Sequence, residues 1–218
     1  MTDTKFPTET SAEFSTEMSG TEMETDSLLL TEDDIYSYLQ GIKSFEKGNE
    51  WAGSWCYEEA GGQQFSQFGC GICCLSNMYS TFSKEACPPD TMYQWAQQYS
   101  NYAPDSGVGA LSWDQLVCIC NSLDIPCDLA GKPADYKDFQ EMAVSNRTLL
   151  VLVSSENDDT IWQEVPGHYV NLWLYDSETD TVFLTDSKGP KNNRRRVPLS
   201  DVYRALKTSS SYQILMVP

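Results

Sequence analysis

The chain has 218 residues, a formal net charge of −18 and eight cysteines but a single histidine. That charge argues against nucleic acid and anionic membrane surfaces as partners, because both need clustered Lys and Arg. No run approaches the roughly 18 apolar residues of a membrane span, and Met1-Thr2-Asp3-Thr4-Lys5 has neither the basic nor the apolar region of a secretory signal. A cytoplasmic location is expected, with non-classical secretion as the exception.

Residues 1–26 are rich in Thr, Ser, Glu and Met and hold few large apolar groups. They read as a disordered acidic tail ahead of one domain over 27–218. A first helix is expected over 31–46, packed on that domain. Thr31 can cap it, acids follow, and Ile35, Tyr38, Leu39, Ile42 and Phe45 recur at helical spacing. Residues 46–69 hold several glycines and little periodicity, an irregular segment with room for one short strand.

From Cys70 the pattern is helical, with Leu75, Met78, Tyr79 and Phe82 on one stripe. Cys87-Pro88-Pro89-Asp90 breaks the chain, and Met92, Trp95, Ala96 and Tyr99 mark the next helix. After the glycine loop that begins at Ala103, Ser112-Trp113-Asp114-Gln115 is a capping box for another helix. An amphipathic stretch covers 135–145. The character changes at Leu149–Val153, a buried-strand signal. Strands over 168–176 and 181–186 follow, joined by a turn at 176–180. A helix over 200–207 and a strand over 212–217 close the chain. Helices first and a mostly antiparallel sheet second is α+β order. Arg194-Arg195-Arg196 reads as a solvated turn, with docking of an acidic segment, the chain's own tail being one candidate, as the alternative.

Most cysteines read as reduced and buried small apolar residues. Cys70-x-x-Cys73-Cys74 has the spacing of one zinc knuckle, but no second knuckle matches it and one histidine is too few for most mixed sites. No metal or cofactor is expected.

Four residues carry chemistry. Cys70 stands between Gly69 and Gly71 where a helix begins, and a helix N-terminus with a nearby imidazolium turns a thiol into a thiolate. The two glycines would let a substrate carbonyl approach the sulfur. His168 opens an apolar strand, where a sheet edge can present a general base. Asp186 ends the partner strand of the same hairpin, which sets it beside His168, able to fix the ring's tautomer. Gln64 could donate its amide to an oxyanion together with the Cys70 N–H, with Gln63 and Gln67 as rivals. Asp176 and Asn171 stand next in line for the role of Asp186.

Gln64, Cys70-Gly71, His168 and Asp186 resemble the pattern of papain-like cysteine peptidases, most closely the family-39 branch that includes bacteriocin-leader peptidase domains. The resemblance spans roughly residues 55–217. This chain departs from the pattern at Ser187, where Pro is usual, and at Cys73-Cys74, where small or apolar residues are usual. The resemblance implies a papain-like α+β fold, the Cys70 helix packed on the sheet carrying His168 and Asp186, and cleavage of a peptide or protein substrate through a Cys-His-Asp triad. An acyltransferase or transglutaminase-like enzyme with the same triad, or a non-catalytic peptide-binding relative, are the other readings.

Overall fold

A computed structural model describes residues 30–41, 59–60, 63–103, 109–189 and 191–218. Residues 1–26, Cys56 and the end of the expected first helix lie outside them. Strands β1 (Glu59–Ala60) and β2 (Gln63–Gln64) form a small hairpin that leads into α1 (Phe65–Phe68) and then α2 (Cys70–Ser83). α2 stops at Lys84, which takes the left-handed conformation that ends helices. α3 (Pro89–Ser100) starts on a proline at its first position, where the missing N–H costs nothing. α4 (Trp113–Ser122) has the expected capping box: Ser112 accepts from the Gln115 N–H, and the Gln115 side chain accepts from the Ser112 N–H. β3 (Asp128–Ala130), α5 (Tyr136–Ser145), β4 (Thr148–Val153), β5 (His168–Asp176), β6 (Thr181–Thr185), β7 (Arg195–Pro198), α6 (Leu199–Ala205) and β8 (Ile214–Val217) complete the order.

The large sheet runs β3-β8-β4-β5-β6-β7, and every neighbouring pair is antiparallel. Its central strands are apolar at nearly every position because both faces are covered. Leu150, Tyr169, Trp173, Phe183 and Leu215 face one core with Ile72, Leu75 and Met78 of α2 and residues of α3 and α4. Leu149, Val151, Val170, Leu172 and Leu184 face a second core with Phe139 of α5, Val202 of α6 and Trp162 from a loop. The strand alternation therefore feeds two cores, and α2 is pressed against β5.

Within the described part, 31–41, the segment expected as a helix over 31–46 is a single 3-10 turn, Glu32–Asp34, followed by an irregular strap to Gln40. Asp34 accepts from the Thr31 N–H and hydroxyl, which closes that turn. Beyond it the protein supplies partners that a helix would leave unused. The Tyr36 N–H donates to Thr81 Oγ1, the Tyr38 N–H to Asn77 Oδ1 and the Gln40 N–H to the Ser187 carbonyl. Ile35, Tyr38 and Leu39 are buried, so their spacing reflects packing on α2 rather than helical period.

The arginine run is exposed, but two of its members reach the strap. Arg194 donates to the carbonyls of Ile35 and Glu32, and Arg196 pairs with the Glu32 carboxylate at 2.9 Å. It docks an acidic piece of this chain, the strap. Arg195 and Arg196 also begin β7, an edge strand that sequence pattern did not reveal. β3, at the other edge, has only three residues and was missed for the same reason: short or charged edge strands carry little apolar signal.

Candidate active site

The hairpin β5–β6 sets the first part of the site. Asn171 pairs with Thr185, so the residues just before Asn171 and just after Thr185 share one end of the sheet. A bulge near Leu174, whose φ is 47°, shifts the register only toward the turn and leaves this end regular. His168, the first residue of β5, and Asp186, the first after β6, meet there with Nε2 2.8 Å from Oδ1. Cys70 comes from the opposite layer. It is the first residue of α2, and the packing of that helix on β5 sets its thiol close enough to His168 for each to shift the other's charge, while the thiol itself points to the Phe68 carbonyl at 3.9 Å. With Nε2 committed to Asp186, Nδ1 is the nitrogen left for the sulfur. All three side chains are buried, Cys70 being 6% exposed.

Asp186 is held more fully than its sequence context suggests. Oδ1 also accepts from the Lys188 N–H at 2.9 Å, and Oδ2 accepts from Trp162 Nε1 at 2.9 Å. The Asp186 N–H donates to Asn193 Oδ1. Ser37 of the strap donates to that same Asn193 oxygen, and Ser187 donates to Gln40 Oε1 at 2.7 Å. The strap thus ties down the loop that carries the acid. Trp162, Asn193, Ser187 and Gln40 were not among the expected site residues. Trp162 carried one signal, the largest apolar side chain of the mostly polar loop between β4 and β5, beside Ile161.

These contacts set the charges. Burial raises the Asp186 carboxyl, but the His168 charge and hydrogen bond, the Lys188 amide and Trp162 bring it below the usual carboxylate value. Burial disfavours a protonated His168, yet the Asp186 carboxylate and then the Cys70 sulfur outweigh it and raise the ring to about 10. Burial likewise raises Cys70, but the His168 hydrogen bond and charge, with the Tyr169 and Gly71 amides, hold it below the ordinary thiol. Around neutral pH the arrangement therefore favours a thiolate facing an imidazolium. Cys73 and Cys74 are driven well above the ordinary thiol by burial and by the Cys70 charge.

Gly71 is closely packed. A Cβ there would come within 3.2 Å of Leu111 and 3.4 Å of Tyr169. Gln64 ends β2 and is half-buried, joined to Cys70 by α1 and Gly69. Asp176 and Asn171 do not compete for the acid's place. Asp176 caps its own turn through the Glu178 N–H and the Thr179 hydroxyl, and Asn171 accepts from Asn77 inside the helical core. Among the described residues, no group of three or more His, Cys, Asp and Glu is placed to hold a metal ion, and no helix is long and apolar enough to cross a membrane. A cavity of about 360 Å³ opens beside Asp186, lined by Trp162, Val165, Lys188 and Asn192 among others.

No family model and no curated protein matches this sequence. Among solved structures, a Bacillus anthracis protein described provisionally as a C39-like peptidase is similar over 69% of this chain and 88% of its own, at 12% identity and a TM-score of 0.43. That is a distant structural relationship, and it carries neither a family nor an activity.

Proposed function

We propose that the chain is a cysteine peptidase of papain-like architecture. The observation that carries this reading is one imidazole held between a buried thiol and a buried carboxylate, with the charges of all three shifted toward a thiolate–imidazolium pair. A structural cysteine would need no such partner.

In this reading the Cys70 thiolate attacks the substrate carbonyl carbon. The oxyanion that forms accepts from the Cys70 N–H, which as a first helical residue has no partner in the helix, and from the Gln64 amide. The C–N bond then breaks as His168 gives its proton to the departing amine, leaving an acyl thioester on Cys70. The neutral ring next takes a proton from water, the hydroxide attacks the thioester, and the thiol leaves. Asp186 stays ionised throughout and holds Nε2–H, so that Nδ1 faces the reaction.

The test is acylation by an activated ester of a small N-blocked peptide, followed by intact mass and peptide mapping. An acyl group should appear on Cys70 and decay with release of the acid, and Cys70→Ala should show neither. Stable acylation spread over several cysteines, unchanged in Cys70→Ala, would refute the assignment.

A further inference from the structure

The mechanism uses one thiol of three. Cys70, Cys73 and Cys74 share the first turns of α2, and all are buried. Cys70-Gly71-Ile72-Cys73 opens the helix. Residues i and i+3 of a helix stand on one face with Cβ atoms about 5–6 Å apart. A disulfide needs Cβ atoms roughly 3.5–4.5 Å apart. Closing that gap asks only the first turn to tighten toward 3-10 geometry, which is common at helix ends. Cys70 is the first helical residue and Gly69 precedes it, so its backbone can move as the Cys73 N–H passes from the Gly69 carbonyl to that of Cys70. Cys74 lies one residue deeper, and closure onto it would disturb more of the helix.

The order of events is also fixed by the structure. Cys73 has no exposed surface, so an oxidant in solution meets Cys70 first. Its protonated thiol waits beside the nucleophile, near Ser187. We propose that Cys70 and Cys73 are a reversible dithiol–disulfide pair, through which a peroxide converts the nucleophile into a reducible disulfide rather than an irreversible acid. The proposal rests on Cys70 being the reactive thiolate described above.

The chemistry balances in two steps. The Cys70 thiolate attacks one oxygen of hydrogen peroxide and the O–O bond breaks. The sulfur is oxidised by two electrons to a sulfenic acid, and the departing hydroxide takes the His168 proton and leaves as water. The Cys73 sulfur then attacks the sulfenic sulfur. The S–S bond forms as the S–O bond breaks, and the Cys73 proton leaves with that hydroxide as a second water. A small dithiol reverses this, becoming a disulfide itself while returning two hydrogens to Cys70 and Cys73.

The test needs no substrate. The full chain is treated with hydrogen peroxide in slight excess, free thiols are blocked, and the peptide carrying Cys70 is mapped by mass spectrometry. The expected product is a Cys70–Cys73 disulfide, two hydrogens lighter, with nearly all Cys70 recovered by dithiol. Cys74→Ala should behave as wild type. Cys73→Ala should instead carry sulfinic acid on Cys70, with recovery by dithiol lower by about tenfold. Sulfinic acid formed equally in wild type, or a disulfide to Cys74, would overturn the pairing while leaving the nucleophile intact. Peroxide that oxidises the exposed Cys118 and leaves Cys70 reduced would overturn the nucleophile itself.

Discussion

Asp186→Asn removes a charge and little volume, which makes it the sharpest probe of the site. In the folded protein the His168 ring is moved from 6.5 to about 10, although burial alone would move it down. A displacement of that size corresponds to roughly 5 kcal/mol in favour of the protonated ring. Asp186 is the first contributor to it after burial. Losing even a third, about 1.5–2 kcal/mol, lowers the thiolate–imidazolium population more than tenfold. The assay is the second-order rate of iodoacetamide alkylation at Cys70 across pH, mapped by peptide and accompanied by circular dichroism. Wild type should already react fast below about pH 8.5, where an ordinary thiol is mostly protonated. The variant should keep its fold, react at least about tenfold more slowly there, and reach the wild-type rate only at higher pH. A folded variant with an unchanged rate profile would show that Asp186 does not hold the imidazolium.

Three further outcomes follow from the same contacts. Trp162→Phe keeps the apolar body but removes the donor to Asp186 Oδ2; thermal unfolding should show a loss of roughly 1.5–3 kcal/mol, the range for a hydrogen bond to a charged group. The His168 pKa is higher folded than unfolded and the Cys70 pKa lower, so their contributions oppose each other from about 6.5 to the ordinary thiol value of 9.0, and stability should fall as pH rises beyond that through about 10, where the imidazolium is lost. It should also fall as pH drops below the usual 3.8, because the Asp186 pKa is lower folded than unfolded. Melting curves of wild type and His168→Asn across this range check both limbs, and the alkaline limb should flatten in the variant. Starting the chain after Gly41 removes the buried Ile35, Tyr38 and Leu39, at about 1.5–3 kcal/mol each. Starting it at Leu30 keeps the strap and should leave the melting temperature nearly unchanged.

Much of this was legible in the sequence because the signals were local. The stripe Leu75, Met78, Tyr79 and Phe82 placed α2, and the hairpin turn placed Asp186 beside His168 with no knowledge of the rest. The strap was misread because Ile35, Tyr38 and Leu39 fit a helical period. What decides their conformation is the set of acceptors on Thr81, Asn77 and Ser187, which lie far along the chain. Trp162 escaped notice for a related reason. Its N–H reaches Asp186 across 24 positions of sequence, and no spacing rule encodes such a contact.

The central claim is that Cys70 is a thiolate because His168 is an imidazolium. Thiolate absorbance in the ultraviolet measures this directly, taken as wild type minus Cys70→Ala and followed from about pH 4 to about pH 9. One thiolate per chain should be present below the ordinary thiol value and should vanish there in His168→Ala. If the difference spectrum shows no thiolate until the pH nears the ordinary thiol value of about 8.5, the pair does not exist and the proposed chemistry fails with it.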